Sequence, residues 1–213
     1  MPFSPLDYRY GTDEFKSIWT EEGRHKRQLE VERALIWAHM KLDKVSKEDY
    51  EVIESIAKPE IVTSKRVKEI EAETKHDIMA LTKAMAEKAG EAGWCIHLGA
   101  TSNDIVDTAV ALQIKDNFRN MLSTNHGERL MLGDFGANLK PLAYEIGTDD
   151  GDSAAISRIT ATTSKYMPFI TLTTFEPIRE VSPEGTLVKS GVRVKYGVPN
   201  LGVKDQTIEV IIL

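Results

Sequence analysis

Apolar residues recur at helical spacing from Asp13 to about Glu91: Phe15, Ile18 and Trp19, then Leu29, Val31, Ala34, Leu35 and Met40, then Ile70, Ile78, Leu81 and Met85. This spacing predicts a run of amphipathic helices. Thr12-Asp13-Glu14 and Ser46-Lys-Glu-Asp offer N-terminal caps, the second ahead of Tyr50, Val52, Ile53 and Ile56, and Pro59 interrupts the helical pattern beyond them. Gly90, Gly93 and Gly99 mark a loop, after which Thr101-Ser102-Asn103-Asp104 caps a long helix through Ile105, Ala109, Leu112, Ile114, Phe118 and Leu122. Beyond Ser123 the texture changes to closely spaced glycines, and Ser153 to Lys165 forms a helix capped by Asp152 or Ser153. Alternation then takes over in Val192, Val194, Tyr196 and Val198, and again in Ile208, Val210 and Ile212. With Phe169 to Val181 this makes about three strands, and the turn signal Ser182-Pro-Glu-Gly185 joins the first two as an antiparallel hairpin. The expected fold is therefore two domains: an all-α helical domain over 1–113, followed over 114–213 by a small α+β domain with an antiparallel sheet of about three strands.

Composition supports a folded chain, since 41% of the residues are hydrophobic and 28% are charged. Residues 1–113 carry 16 basic and 21 acidic side chains, and residues 114–213 carry 11 and 12. Neither part has the basic excess that a phosphate backbone demands, so no nucleic acid is expected as a partner. No stretch nears the roughly 20 apolar residues of a membrane span, and the opening Met1-Pro-Phe-Ser-Pro-Leu-Asp lacks the basic and apolar regions of a signal peptide. No membrane partner and a cytoplasmic location are expected. The single Cys95 excludes an intramolecular disulfide and a cysteine-based metal cluster, and no metal or cofactor is implied.

Three clusters could bind an anion: Arg9 with Tyr10, Lys75-His76-Asp77, and Thr101 with Ser102. Each has a plainer explanation by itself, as surface cover, a packed helical histidine, or a helix cap. Their order is what discriminates. Ser4-Pro-Leu-Asp-Tyr-Arg-Tyr-Gly11, Leu29-Glu-Val-Glu-Arg-Ala34, Glu73-Thr-Lys-His-Asp-Ile78 and His97-Leu-Gly-Ala-Thr-Ser-Asn-Asp-Ile-Val-Asp-Thr-Ala109 follow one another across about 110 residues. In that order they resemble the N-terminal domain of adenylosuccinate lyase, most of all its archaeal type.

That resemblance implies a substrate-binding role for Arg9, Tyr10, His76, Asp77, Thr101 and Ser102. The Arg-Tyr pair and the histidine would help to hold a nucleotide phosphate, and the Thr-Ser pair would meet substrate at a helix start. The chemistry agrees, because Arg supplies a planar donor fork, imidazole a donor, and a helix start free N–H groups. The family's reaction belongs to purine biosynthesis and releases fumarate by β-elimination, which requires a base and an acid. The family draws these from a Gly-Arg-Thr-His stretch and a Ser-Ser-x-Met-Pro-x-Lys-x-Asn loop, and neither motif occurs here. No complete catalytic set is expected in the chain. Lyase-type chains, or a second copy of this one, are the partners implied through the helical domain.

From about Ile114 the text changes. Leu122-Ser-Thr-Asn-His-Gly-Glu-Arg129, Asp134-Phe-Gly136, Val194-Lys-Tyr-Gly-Val-Pro199 and Asp205-Gln-Thr-Ile-Glu-Val210 resemble the sheath-initiator family of contractile phage baseplates, to which lysozyme-like names are also attached. This implies a chimera joined inside a helix between 109 and 115. Assembly into a phage-tail baseplate is then the leading function, with baseplate or sheath proteins docking on a sheet edge and with virion association. A fumarate-releasing lyase fragment that contributes binding residues to a multi-chain site is the alternative. In the family a Glu-Pro-Arg triplet marks the helix-to-strand junction; here Tyr166-Met-Pro-Phe-Ile170 falls there, and Glu176-Pro-Ile-Arg179 comes later. A hydrolase built on Glu128 and Asp134 is weighed as well. A turn and a turn-closing ion pair explain those carboxylates more simply.

Overall fold

The computed structural model describes residues 13–129 and 131–213. Seven α-helices precede three strands among these residues: α1 (Asp13–Ile18), α2 (Glu21–Lys41), α3 (Lys47–Ile56), α4 (Ser64–Thr74), α5 (Asp77–Ala89), α6 (Ser102–Ser123), α7 (Asp149–Tyr166), β1 (Thr171–Val181), β2 (Leu187–Val198) and β3 (Val203–Ile211). The chain is thus an all-α part followed by a small α+β part. Contacts between Cα atoms divide it into two compact units, one of residues 16–113 and the other including residues 114–213.

The helical unit closes around Leu29, Ile36, Ile53, Ile78, Leu81, Met85, Ile105 and Ala109, each 1% exposed or less. Its caps follow local chemistry. Thr20, Ser46 and Thr63 each accept a backbone N–H of the first turn of α2, α3 and α4, in each case from the residue three positions on. Helix α3 ends at Ile56, three residues short of Pro59. Helix α2 departs from the expected stripe: Ala34 is exposed and Ile36 takes the core position, while His25, Gln28 and Glu32 are buried on the same helix. All three tryptophans of the chain, Trp19, Trp37 and Trp94, lie in this unit and are 49%, 48% and 56% exposed. Trp19 follows the last residue of α1 and so leaves the apolar stripe.

In the second unit the sheet runs β1-β2-β3, antiparallel throughout. The hairpin between β1 and β2 closes where the Gly185 N–H donates to the Ser182 carbonyl at 2.9 Å. Val192, Val194, Tyr196, Val198, Ile208 and Val210 turn inward, joined by Phe118, whose ring meets that of Tyr196 edge-on at 5.0 Å. Glu209 and Ile211 face away. On the outer face Arg193 bridges Glu176 of β1 and Glu209 of β3, a ladder of opposite charges across all three strands. Strand β1 itself carries no buried residue.

One expectation is corrected in this unit, the start and cap of its helix. Helix α7 starts earlier than Ser153, and its cap is Thr148, whose hydroxyl accepts the Gly151 N–H at 3.2 Å. Asp152 serves instead to accept the Gly147 N–H at 2.7 Å, which closes the turn before the helix. The helix-to-strand junction does fall across 167–170, and Glu176-Pro-Ile-Arg179 lies well inside β1. There Arg179 reaches back to donate to the Ile146 carbonyl at 2.5 Å.

Gly191 is where β2 admits no side chain, because an added Cβ would stand 2.2 Å from the Val210 carbonyl oxygen on β3. Gly191→Ala is expected to cost roughly 1–3 kcal/mol. Amide exchange should quicken along β2 and β3 and stay unchanged in the α5 core, a pattern that residue-resolved exchange reads directly.

Candidate functional site

The site grows from two helix starts in the helical unit. Helix α4 ends on Lys75 in the left-handed conformation, φ 55°, and His76 follows in extended backbone as the N-cap of α5. The chain therefore reverses within Thr74-Lys75-His76-Asp77. The His76 Nδ1 accepts the Met79 N–H at 3.3 Å, so that nitrogen carries a lone pair, and the proton of the neutral ring sits on Nε2. Nε2 in turn faces the Ser102 hydroxyl at 3.4 Å, a long contact that joins the start of α5 to the start of α6. Asp77 caps its own turn, accepting the Ile78 N–H at 2.8 Å, and its carboxylate lies 3.6 Å from His76 Nδ1.

At the α6 start, Asp104 accepts the Thr101 N–H at 2.8 Å and the Thr101 hydroxyl at 3.2 Å. This is one half of a capping box. The same two bonds hold the Asp104 carboxyl below its usual range. His76, Asp77, Thr101 and Ser102 are thus brought to one pair of helix ends. Arg9 and Tyr10 lie outside the described residues.

Motif order alone does not reveal the support behind this edge. His97, at φ 61°, gives its backbone N–H to Glu32 Oε2 at 3.2 Å, and its Nδ1 stands 2.7 Å from Glu32 Oε1. Glu32 is wholly buried, and burial raises its pKa while the contacts with His97 oppose the rise. Farther along α2, His39 Nε2 meets the Leu98 carbonyl at 2.8 Å. Both α2 side chains hold the segment that leads into Thr101 and Ser102. A signal for His97 was present in its motif; Glu32 sits within Leu29-Glu-Val-Glu-Arg-Ala34 and nothing local marks it as buried.

The carboxylates weighed for hydrolysis are separately engaged. Glu128 accepts the Asn125 N–H at 2.7 Å and the Asn125 side-chain amide at 2.9 Å, and these bonds lower its pKa. Asp134 pairs with Lys165 and accepts the Tyr166 hydroxyl at 2.7 Å. Both are fastened to the fold.

With this geometry in place, comparison with known proteins identifies the class. The sequence profile of the family described as lyase matches residues 7–129. That is more than half of the chain, and the chain belongs to this family. It is 51% identical over 117 residues to the adenylosuccinate lyase of Pyrococcus abyssi, covering 55% of this chain and 26% of that protein. It is 54% identical over 119 residues to the adenylosuccinate lyase of Archaeoglobus fulgidus, covering 56% and 26%. The chain therefore spans about a quarter of the length of the curated relatives it matches. In fold it is similar to the 3-carboxy-cis,cis-muconate lactonizing enzyme of Pseudomonas putida, with a TM-score of 0.50 at 24% identity over 66% of this chain and 30% of that one. The family match runs through the 109–115 segment where a join is expected and ends at residue 129.

The ion pair and hydroxyl bond of Asp134 hold its carboxyl down to about 2. A depressed folded value contributes stability in full above the unfolded value of ~3.9, and the contribution is lost as pH falls through about 2. Denaturant midpoints of the parent and of Asp134→Asn should differ by a constant amount at pH 5 to 7 and converge toward pH 2. A gap that persists unchanged at pH 2 would mean that Asp134 acts through something other than its charge.

Proposed function

We propose that the helical unit is the anion-binding portion of an adenylosuccinate-lyase-type active site, which gains catalytic groups only from other segments or chains. The observation that carries this reading is the arrangement of His76. Its Nδ1 is occupied as the α5 cap, which leaves Nε2–H as a donor beside the Ser102 hydroxyl. Two helix starts flank that donor, and helix starts favour negative charge through their free N–H groups and partial positive potential. A phosphate monoester is the ligand chemistry this supports, and adenylosuccinate carries one. Arg9 and Tyr10 would add a guanidinium fork and a phenol to the same group. Fumarate release also needs a base at carbon and an acid at the leaving nitrogen, for which the family's two motifs are not in this sequence.

Calorimetric titration with adenosine monophosphate tests the reading. Binding is expected, and His76→Ala should weaken it roughly 10- to 100-fold, as loss of a hydrogen bond to a charged group implies. The chain alone should release no fumarate from adenylosuccinate above a buffer blank. Equal affinity in parent and variant, or turnover that disappears with His76→Ala, would overturn the respective half of the proposal.

The open sheet favours a second reading for residues 114–213, namely assembly onto a strand of another protein. The baseplate resemblance of Gly127-Glu-Arg129 and Asp134-Phe-Gly136 makes sheath or baseplate proteins the partners we propose, with the lyase part joined to an assembly part. The Ile212 N–H donates inward to the Ser190 carbonyl at 2.8 Å, so strand alternation turns the Ile211 N–H outward. Ile211→Pro should therefore abolish strand-mediated assembly while the sheet remains folded by circular dichroism. A folded variant that assembles as tightly as the parent rules out that edge.

A further inference from the structure

His76 at the α5 start and His97 in the turn that leads into α6 are held by different partners. His76 Nδ1 faces a backbone N–H, which has no lone pair to offer, so the ring nitrogen is the acceptor. His97 Nδ1 faces a carboxylate oxygen, and the other oxygen of that carboxylate already accepts the His97 backbone N–H. A wholly buried carboxylate is stable only when its oxygens meet donors, which makes Nδ1–H the proton-bearing nitrogen of His97. The His97 ring is partly exposed, and its Nε2 makes no hydrogen bond among the described residues. It lies four residues before Thr101, whose N–H and hydroxyl are held by Asp104 at the α6 start.

We propose that Glu32 is the positioning residue that sets His97 in the tautomer opposite to that of His76, so that one imidazole offers Nε2–H and the other a bare Nε2. The inference rests on the anion-site reading for its ligand and deepens it. A site with one donor and one acceptor imidazole suits a phosphate monoester in its monoanionic form, which presents acceptor oxygens and an O–H together. Glu32 touches no ligand in this arrangement. Its work is to hold His97 by two bonds, one to the backbone N–H and one to the ring, with the residue at φ 61°.

The test is the nitrogen NMR of the full chain labelled with 15N-histidine, recorded as long-range proton–nitrogen correlations where the rings are neutral. His97 should show a protonated, pyrrole-type Nδ1 and a pyridine-type Nε2, and His76 the reverse. Glu32→Gln, which retains size and loses one acceptor, should move His97 toward the Nε2–H form and leave His76 unchanged. Glu32→Asp, which keeps the charge on a shorter stem, should show the same displacement to a smaller degree. A pyridine-type Nδ1 on His97 in the parent chain overturns the proposal without any variant, since Glu32 would then be the proton donor. An unchanged His97 pattern in a folded Glu32→Gln chain overturns it as well. Added inorganic phosphate should shift both rings. If it shifts neither, the anion-site reading fails by itself, while the tautomer pattern still supports or overturns the role of Glu32.

Discussion

A carboxylate sealed from water has to be surrounded by donors, and Glu32 organises the helical unit around that requirement. Both of its oxygens are spent on His97, one on the backbone and one on the ring. The segment between the 90–95 turn and α6 is thereby tied to the middle of α2, and His39 adds a second tie at Leu98. His25 does the equivalent at the other end of α2, meeting the Val62 carbonyl at 2.6 Å. Helix α2 thus sets polar side chains into an apolar core, and His25, Glu32 and His39 each tie it to backbone from elsewhere in the helical unit. Desolvating such groups costs several kcal/mol for an ion, and the cost is met only when geometry is good. The loops therefore have little freedom to be placed otherwise.

This explains which parts of the fold were legible. Stripes made of apolar residues were read as they stand: Ile105, Ala109, Ile114, Phe118 and Leu122 along α6, and the alternating valines of β2, are all buried. Ser46 was readable as a cap because its hydroxyl meets a donor three residues away. The stripe of α2 was not readable in the same way, since His25, Gln28 and Glu32 occupy inward positions that a hydrophobic pattern assigns to solvent. Whether His25, Glu32 and His39 can turn inward depends on Val62, His97 and Leu98 arriving from elsewhere in the chain, and no local rule contains that information. The α7 cap was misplaced for a smaller reason. Asp149, Asp150 and Asp152 all look like caps, and the choice of Thr148 is decided by where the preceding turn leaves its hydroxyl.

Legibility of the site followed the same division. His76 and Ser102 were found from motif order, and folding brings them together across 26 positions because α4 and α5 reverse at Lys75. What the motifs did not carry was the protonation logic. A histidine that caps a helix has its tautomer chosen by a backbone amide, and a histidine against a buried carboxylate has it chosen by that carboxylate. The chemistry available at the two rings is therefore written into secondary structure and burial, one level below the functional groups themselves.

The placement of the tryptophans divides the molecule optically. All three indoles belong to residues 16–113 and stand half in water, while the sheet unit has only phenylalanine and tyrosine, with Tyr196 packed on Phe118. Indole emission from the native chain already comes from solvated rings, and it originates entirely in the helical unit. Selective excitation of indole thus reports on the helical unit alone, since residues 114–213 contain no tryptophan.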